Sequence, residues 1–276
     1  MPITLLTNVT AAPFVEVFID DLIPEAESVT VYRLAGGREF QMRGAVNAPT
    51  AGAFTRIDFE IPFNMPVTYR AELFDAAGES LGFTDTATTT ILCADTWMHN
   101  PLDPAGAVKV FFGDDTAWSI TRPTPGVVSR PKGRRVGVVL SEPRQGVVGL
   151  RMTVRTSSDA DADKVQAMCG DDGMPPVLCI RLGGDDQRMR VPQPLFLSAL
   201  TVEELDMNHR WGGNELAHKL EGDEVDPPIP GLFIPLLTAA DINISFATAG
   251  ALNAAHLKAV DVNRRYDLAG AAGGGA

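Results

Sequence analysis

The stretch HRWGGNELAHKL (209–220) concentrates two of the chain's four histidines, one of its three tryptophans, an amide and a carboxylate. Imidazoles bind zinc and move protons near neutral pH, so metal or acid–base chemistry is the first reading to weigh. The spacing argues against it. Period-two alternation in NELAHKLEGDEV puts Leu216, His218 and Leu220 on one strand face and Ala217, Lys219 and Glu221 on the other. Gly212-Gly213 reads as a turn, so His209 and His218 lie nine residues apart across a hairpin. A zinc ion there needs further ligands of matched geometry, and His99 and His256 belong to other parts of the chain. The expectation is a hairpin histidine on a half-buried face, with no metal ligand, no catalytic residue and no cofactor site.

Other chemistries fare no better. Acid pairs occur at Asp114-Asp115, Asp171-Asp172, Asp185-Asp186 and Glu203-Glu204, most of them in glycine-flanked turns. A glycosidase needs two carboxylates facing across a cleft, which spacing alone does not give. A calcium loop needs a spaced ladder with a central glycine and a terminal Glu, and none of the pairs matches. They read as solvated turn acids. No Gly-x-Ser-x-Gly, Walker loop or dinucleotide fingerprint occurs. Cys93, Cys169 and Cys179 are widely spaced and odd in number, which suits small buried thiols in a reducing compartment.

The chain carries a formal net charge of −12 over 276 residues, with a sequence pI near 4.7. Such acidity makes nucleic acid and anionic lipid poor general partners. The N-terminus lacks the basic start of a signal peptide, and no run of about 18 apolar residues occurs to span a membrane. The expected place of synthesis is a cytoplasm. One segment opposes the trend. Between Trp118 and Arg155 lie Arg122, Arg130, Lys132, Arg134, Arg135, Arg144, Arg151 and Arg155, with Glu142 the only acid. A ring or head-to-tail contact uses such asymmetry, since opposite patches steer and register subunits. A scattered, solvated strand surface is the plainer alternative. Nucleic acid is the weaker one, because few aromatics are there to stack on bases.

These residues sit on a chain that reads as mainly β. FVEVFI (14–19), SVTVYRL (28–34), FTRIDFEI (54–61), VTYRAELFD (67–75) and TATTTIL (86–92) are strands punctuated by Pro, Gly, Asn and Asp. They predict a β-sandwich over residues 1–92. Tyr69, early in a strand after a proline turn, resembles the tyrosine corner of fibronectin type III and immunoglobulin-like modules, whose hydroxyl bonds upstream backbone. CADTWMHNPLDPAGAV predicts a hinge over 93–106. Residues 107–237 predict a second β-rich domain. Its strands are VKVFF (108–112), RVGVVLSE (135–142), GVVGLRMTVRT (146–156), VLCIRL (177–182), RMRVPQPLFLSALTVEEL (188–205) and NELAHKLEGDEV (214–225). One short helix is expected between the third and fourth, capped by Ser157 or Ser158 and stopped at Gly170.

Residues 238–276 change character. TAADINISFA, TAGALNAAHL and KAVDVNRRYD repeat every ten residues, with Ala second, an aliphatic fifth, Asn sixth and a ring ninth. Thr238 and Thr248 look like N-caps, so the repeat predicts short helical turns that need another surface. GAAGGGA follows them.

Taken together, TWMHNPLDPAGAV, the segment SRPKGRRVGVV through VLCIRLGG, and HRWGGNELAHKLEGDEVDPP resemble minor tail proteins of long-tailed bacteriophages of actinobacteria. The positions that carry the resemblance are Trp97, Pro101-Leu102-Asp103-Pro104, Arg210, Trp211 and Glu224-Val225-Asp226-Pro227. The C-terminal repeat also looks like such tails, although the aromatic often found second is Ala here. The resemblance spans residues 93–267 and implies a virion component at the distal end of a tail. Its partners would be other phage tail proteins and copies of itself, with a host cell surface as a further candidate; it implies no catalytic residue. A different class, a carbohydrate-binding module recognising a cell-wall glycan, would need exposed aromatics in a shallow groove. A cell-wall hydrolase lacks any motif.

Overall fold

Alternating apolar residues become strands through most of the computed structural model, which describes residues 2–50, 52–170, 174–208, 213–229, 239–256 and 262. The protein is mainly β, built of antiparallel sheets with few short helices. Two units are distinct: the first takes the described residues within 1–92, 101–107 and 228–276, the second those within 93–100 and 108–227.

The first unit begins with β1 (Ile3–Asn8), β2 (Phe14–Ile19), β3 (Ser28–Ala35), β4 (Arg38–Gln41), β5 (Ala48–Pro49) and β6 (Phe54–Asp58). It continues with β7 (Val67–Phe74), β8 (Ser80–Phe83) and β9 (Ala87–Thr89). One sheet runs β1-β2-β6; the other runs β4-β3-β7-β8, with β5 beside β3 and β9 beside β7. Val15, Val17 and Ile19 of β2, Val29 and Val31 of β3, and Val67, Ala71 and Leu73 of β7 are buried, as period-two strands with one covered face require. A charged cluster lies among them. The Arg33 guanidinium, from the β3 sheet, is fully buried and grips both oxygens of Asp58 at the end of β6, at 2.6 and 2.8 Å. Tyr69 of β7 donates its hydroxyl to the same carboxylate at 2.8 Å, and Glu60 stands 3.5 Å from Arg33. These bonds join one sheet to the other. Burial alone would lower the Arg33 pKa; the Asp58 and Glu60 carboxylates overcome that and hold it above its ordinary value. The tyrosine-corner expectation is corrected here: the Tyr69 hydroxyl reaches a carboxylate eleven positions upstream.

The second unit contains β10 (Thr96–Asn100), the part of β11 (Asp103–Phe112) from Val108 on, β12 (Gly126–Ser129), β13 (Val138–Ser141) and β14 (Leu150–Thr156). After helix α1 (Asp159–Ala167) come β15 (Val177–Arg181), β16 (Leu195–Ser198), β17 (Thr201–Asp206) and β18 (Leu216–Gly222). Seven strands form one sheet in the order β16-β15-β10-β11-β14-β18-β17. Only Ala199 and Leu200 separate β16 from β17, and these pair with opposite ends of the sheet, β15 and β18. The sheet therefore closes on itself. Met98, Val110, Leu150, Met152, Val154, Leu178, Ile180, Leu195, Leu197 and Leu220 fill its core, with Val165 and Met168 packed among them. Ser158 caps α1, accepting from the Asp161 amide at 3.2 Å, with Asp159 and Asp161 in the first turn.

Residues 93–106, expected as a hinge, hold β10 and the start of β11. Pro101 falls in the turn between them and Pro104 near the start of β11, places where a missing N–H is tolerated. The single strand expected over 188–205 is divided: a 3-10 turn over Gly184–Arg188 precedes it, and Leu200 parts β16 from β17. In the first unit's C-terminal part, α2 (Ala239–Ser245) and α3 (Ala249–Ala255) match the first two repeats. Thr248 caps α3, and the ring-bearing ninth residues, Phe246 and His256, meet edge to face at 5.7 Å. Thr238 and, apart from Val262, the third repeat lie outside the described residues. No helix among the described residues is long and apolar enough to cross a membrane.

Candidate functional site

His209, Arg210 and Trp211 lie outside the described residues, so the structure places only the second half of the HRWGGNELAHKL stretch. There β18 pairs with β14 on one side and β17 on the other, with His218 opposite Val154 and Glu204. Leu216, His218 and Leu220 share the buried face, as alternation predicts; Ala217, on the other face, is buried too. The His218 Nδ1 stands 3.8 Å from Glu204 Oε2, which also accepts from Gln166 of α1 at 2.8 Å. Neither ring nitrogen has a hydrogen bond among the described residues. Burial pushes the His218 pKa below the ordinary histidine value, and the Glu204 charge opposes only part of that. His99 is buried in β10 opposite Cys179 of β15. Among the described residues no three His, Cys, Asp or Glu side chains cluster to hold a metal.

The acid pairs do structural work in turns and edges. Asp115 accepts from the Thr153 hydroxyl at 3.0 Å. Asp186 accepts from the buried Thr96 hydroxyl at 2.6 Å, while Asp185 pairs with Arg188 at 2.8 Å. Asp171-Asp172 lies outside the described residues. Asp115 and Asp186 are thus stitched to neighbouring strands, where the sequence suggested plain solvation.

The basic segment makes the most exposed feature of the second unit. From a bridge between Thr121 and Val148, two chains run side by side: Gln145 and Glu142 donate backbone bonds to Pro123 and Pro125, and then β12 pairs with β13. The turn closes where the Arg134 amide meets the Pro131 carbonyl. At about 3.3 Å per residue this arm is roughly 30 Å long. No third strand joins it among the described residues. Val127 and Leu140, opposite each other on one face, are 65% and 57% exposed; Val139, on the other face beside Val128, is 67% exposed. Val136 and Val138 are exposed as well. The two chains approach closely: a Cβ on Gly137 would come within 2.5 Å of the Val128 side chain.

Charge surrounds this apolar ribbon. Arg130, Lys132, Arg134 and Arg135 stand at its tip. At its foot a cleft of about 800 Å³ is lined by Trp118, Arg122, Arg144, Arg188 and Arg190, with Ala117, Ile120 and Met189. Arg122 donates to the Arg190 carbonyl and Arg144 to the Arg122 carbonyl, which fixes both guanidinium groups at the rim. Trp118 is 88% exposed. The remaining two members of the basic segment are spent on β14: Arg151 pairs with Glu221 at 3.1 Å, and Arg155 donates to the Phe112 carbonyl at 3.3 Å. Arg188 and Arg190 were missed by counting along the chain, because they come from a later turn. The arm was not read as such because only one of its two strands, RVGVVLSE, was recognised.

Compared with protein-family models, curated proteins and solved structures, the chain matches none.

Proposed function

We propose that this chain is a structural component of a bacteriophage tail tip, which assembles through symmetric subunit contacts and docks on neighbouring tail proteins. The arm is the observation that carries the assembly half of this reading. A two-stranded ribbon is marginal in water by itself. One with exposed aliphatics on both faces presents surface that soluble monomers normally bury, and the physical remedy is a partner. Charge supports the same reading. The segment 118–155 carries eight basic residues and one acid, a net of +7; with −12 for the whole chain, the remainder carries −19. Copies of such a molecule attract each other through unlike surfaces. The tail assignment itself rests on the resemblance over residues 93–267, and on this reading the protein acts by assembly and not by catalysis. Its test is location. Antibodies raised on the purified chain should label intact virions at the tail end distal to the head. Labelling of the head, or of no virion structure, would overturn the assignment.

Trp118 favours a second reading, a module that binds a cell-wall glycan. An exposed indole at the rim of an open cleft is the surface on which a sugar ring stacks. If this reading holds, Trp118→Ala abolishes retention on purified cell-wall polysaccharide; equal retention of both proteins removes it.

A further inference from the structure

We propose that the arm of one copy adds to the open edge of β17 on a second copy, so that the chain assembles head to tail. This rests on the assembly reading above and names the surface that receives the arm. Past Leu200 the strand leaves β15 behind, and among the described residues β17 pairs with β18 alone. Among the described residues the other edge of Thr201–Leu205 takes no strand partner, which makes it a template for an added strand. The side chains there complement the arm. Glu203, Glu204 and Asp206 are exposed acids on β17, with Lys219 4.0 Å from Glu203 and Gln166 donating to Glu204, and Leu200 and Met207 flank the strand at 79% and 48% exposure. The arm has the converse pattern: an open β13 edge of exposed aliphatics preceded by Arg134 and Arg135.

Electrostatics also favours unlike over like surfaces. A parallel arm-against-arm pairing sets Arg130, Lys132, Arg134 and Arg135 against their own copies, and β17 against β17 sets carboxylates against carboxylates; like charges across a strand pair repel. Arm against β17 is the pairing in which unlike charges meet. Among the described residues the arm pairs only with itself, and the receiving edge proposed is that of a second copy. A contact between two different surfaces is heterologous, and it propagates until rotation closes a ring.

Charge reversal tests this on the full chain. The arm variant carries Lys132→Glu, Arg134→Glu and Arg135→Glu; the edge variant carries Thr201→Lys and Glu203→Lys. All these positions are exposed, and circular dichroism with a thermal melt checks that each variant folds. Each variant alone should need at least about tenfold more protein for half-assembly, since like charges then face each other across the contact. Mixed one to one, the two should assemble again, because every arm then has an edge of opposite sign. If the edge variant assembles like the wild type while the arm variant does not, the arm has another receptor and this inference fails, leaving the assembly reading intact. Two deficient variants that do not rescue each other have the same meaning. An arm variant that assembles normally also overturns this inference; a wild-type chain that stays monomeric overturns the assembly reading as well.

Discussion

Asp58 is the residue on which most of the first unit's buried polarity converges. It receives two bonds from Arg33 and one from Tyr69, and its Oδ1 also accepts from the Glu60 amide at 2.8 Å. Removing one partner of a buried charge pair strands the other, so Asp58→Ala should cost about 3–5 kcal/mol in urea unfolding. Tyr69→Phe keeps the ring and loses one donor to a charged acceptor, and should cost about 1.5–3 kcal/mol. A loss below about 0.5 kcal/mol for Asp58→Ala would mean that the cluster contributes little net stability. His218 gives a pH dependence. Its folded pKa lies below its unfolded value, so between the two the unfolded chain binds the extra proton. Its contribution to stability is therefore complete above the unfolded value, about 6.5, and is lost as pH falls toward the folded pKa. In His218→Leu the drop in urea midpoint between pH about 7 and about 5 should shrink, whereas an unchanged slope would assign that dependence to other groups. Sequence showed that Tyr69 was unusual but not its partner. Asp58 lies in the strand run FTRIDFEI, and only the packing of one sheet on the other brings it to Arg33, twenty-five positions away.

At the scale of elements, local signals were the legible ones. The Ser158 cap, its acidic first turn and the apolar Val165 and Met168 predict α1 before any packing is known. Ser158→Ala should cost about 1 kcal/mol, read as a shift in thermal midpoint. Alternation likewise located β2, β3, β7 and β18, where one face is covered. It located β13 within RVGVVLSE but not β12, and it did not show that both are exposed, because a strand's periodicity is the same whether the aliphatic face meets a core or water. It failed also around Leu200, where one continuous apolar run turns from β15 to β18 and so serves two strand partners. The arm's apolar faces have their own test. Val139→Asp and Leu140→Asp remove exposed surface that the folded monomer does not use. They should leave the thermal midpoint within about 2 °C while lowering assembly; a large loss of midpoint would make these residues part of the monomer's own core.

For the whole molecule, composition predicted the sign of the charge but not its layout. The −12 total hides a basic segment and an acid pair that the sequence shows, but their places on an arm and on the β17 edge come only from the fold. Assembly driven by these surfaces should weaken with salt, because exposed charges are screened beyond about 8–10 Å at physiological ionic strength and over shorter distances as salt rises. The exposed valines and Leu140 supply a part that salt does not screen. The measurement that tests the account most directly is molar mass by light scattering, on the full chain and on a chain whose residues 126–141 are replaced by a short turn. The account predicts a defined multiple of 29.5 kDa for the full chain and a folded monomer without the arm. Equal masses for the two proteins would contradict it.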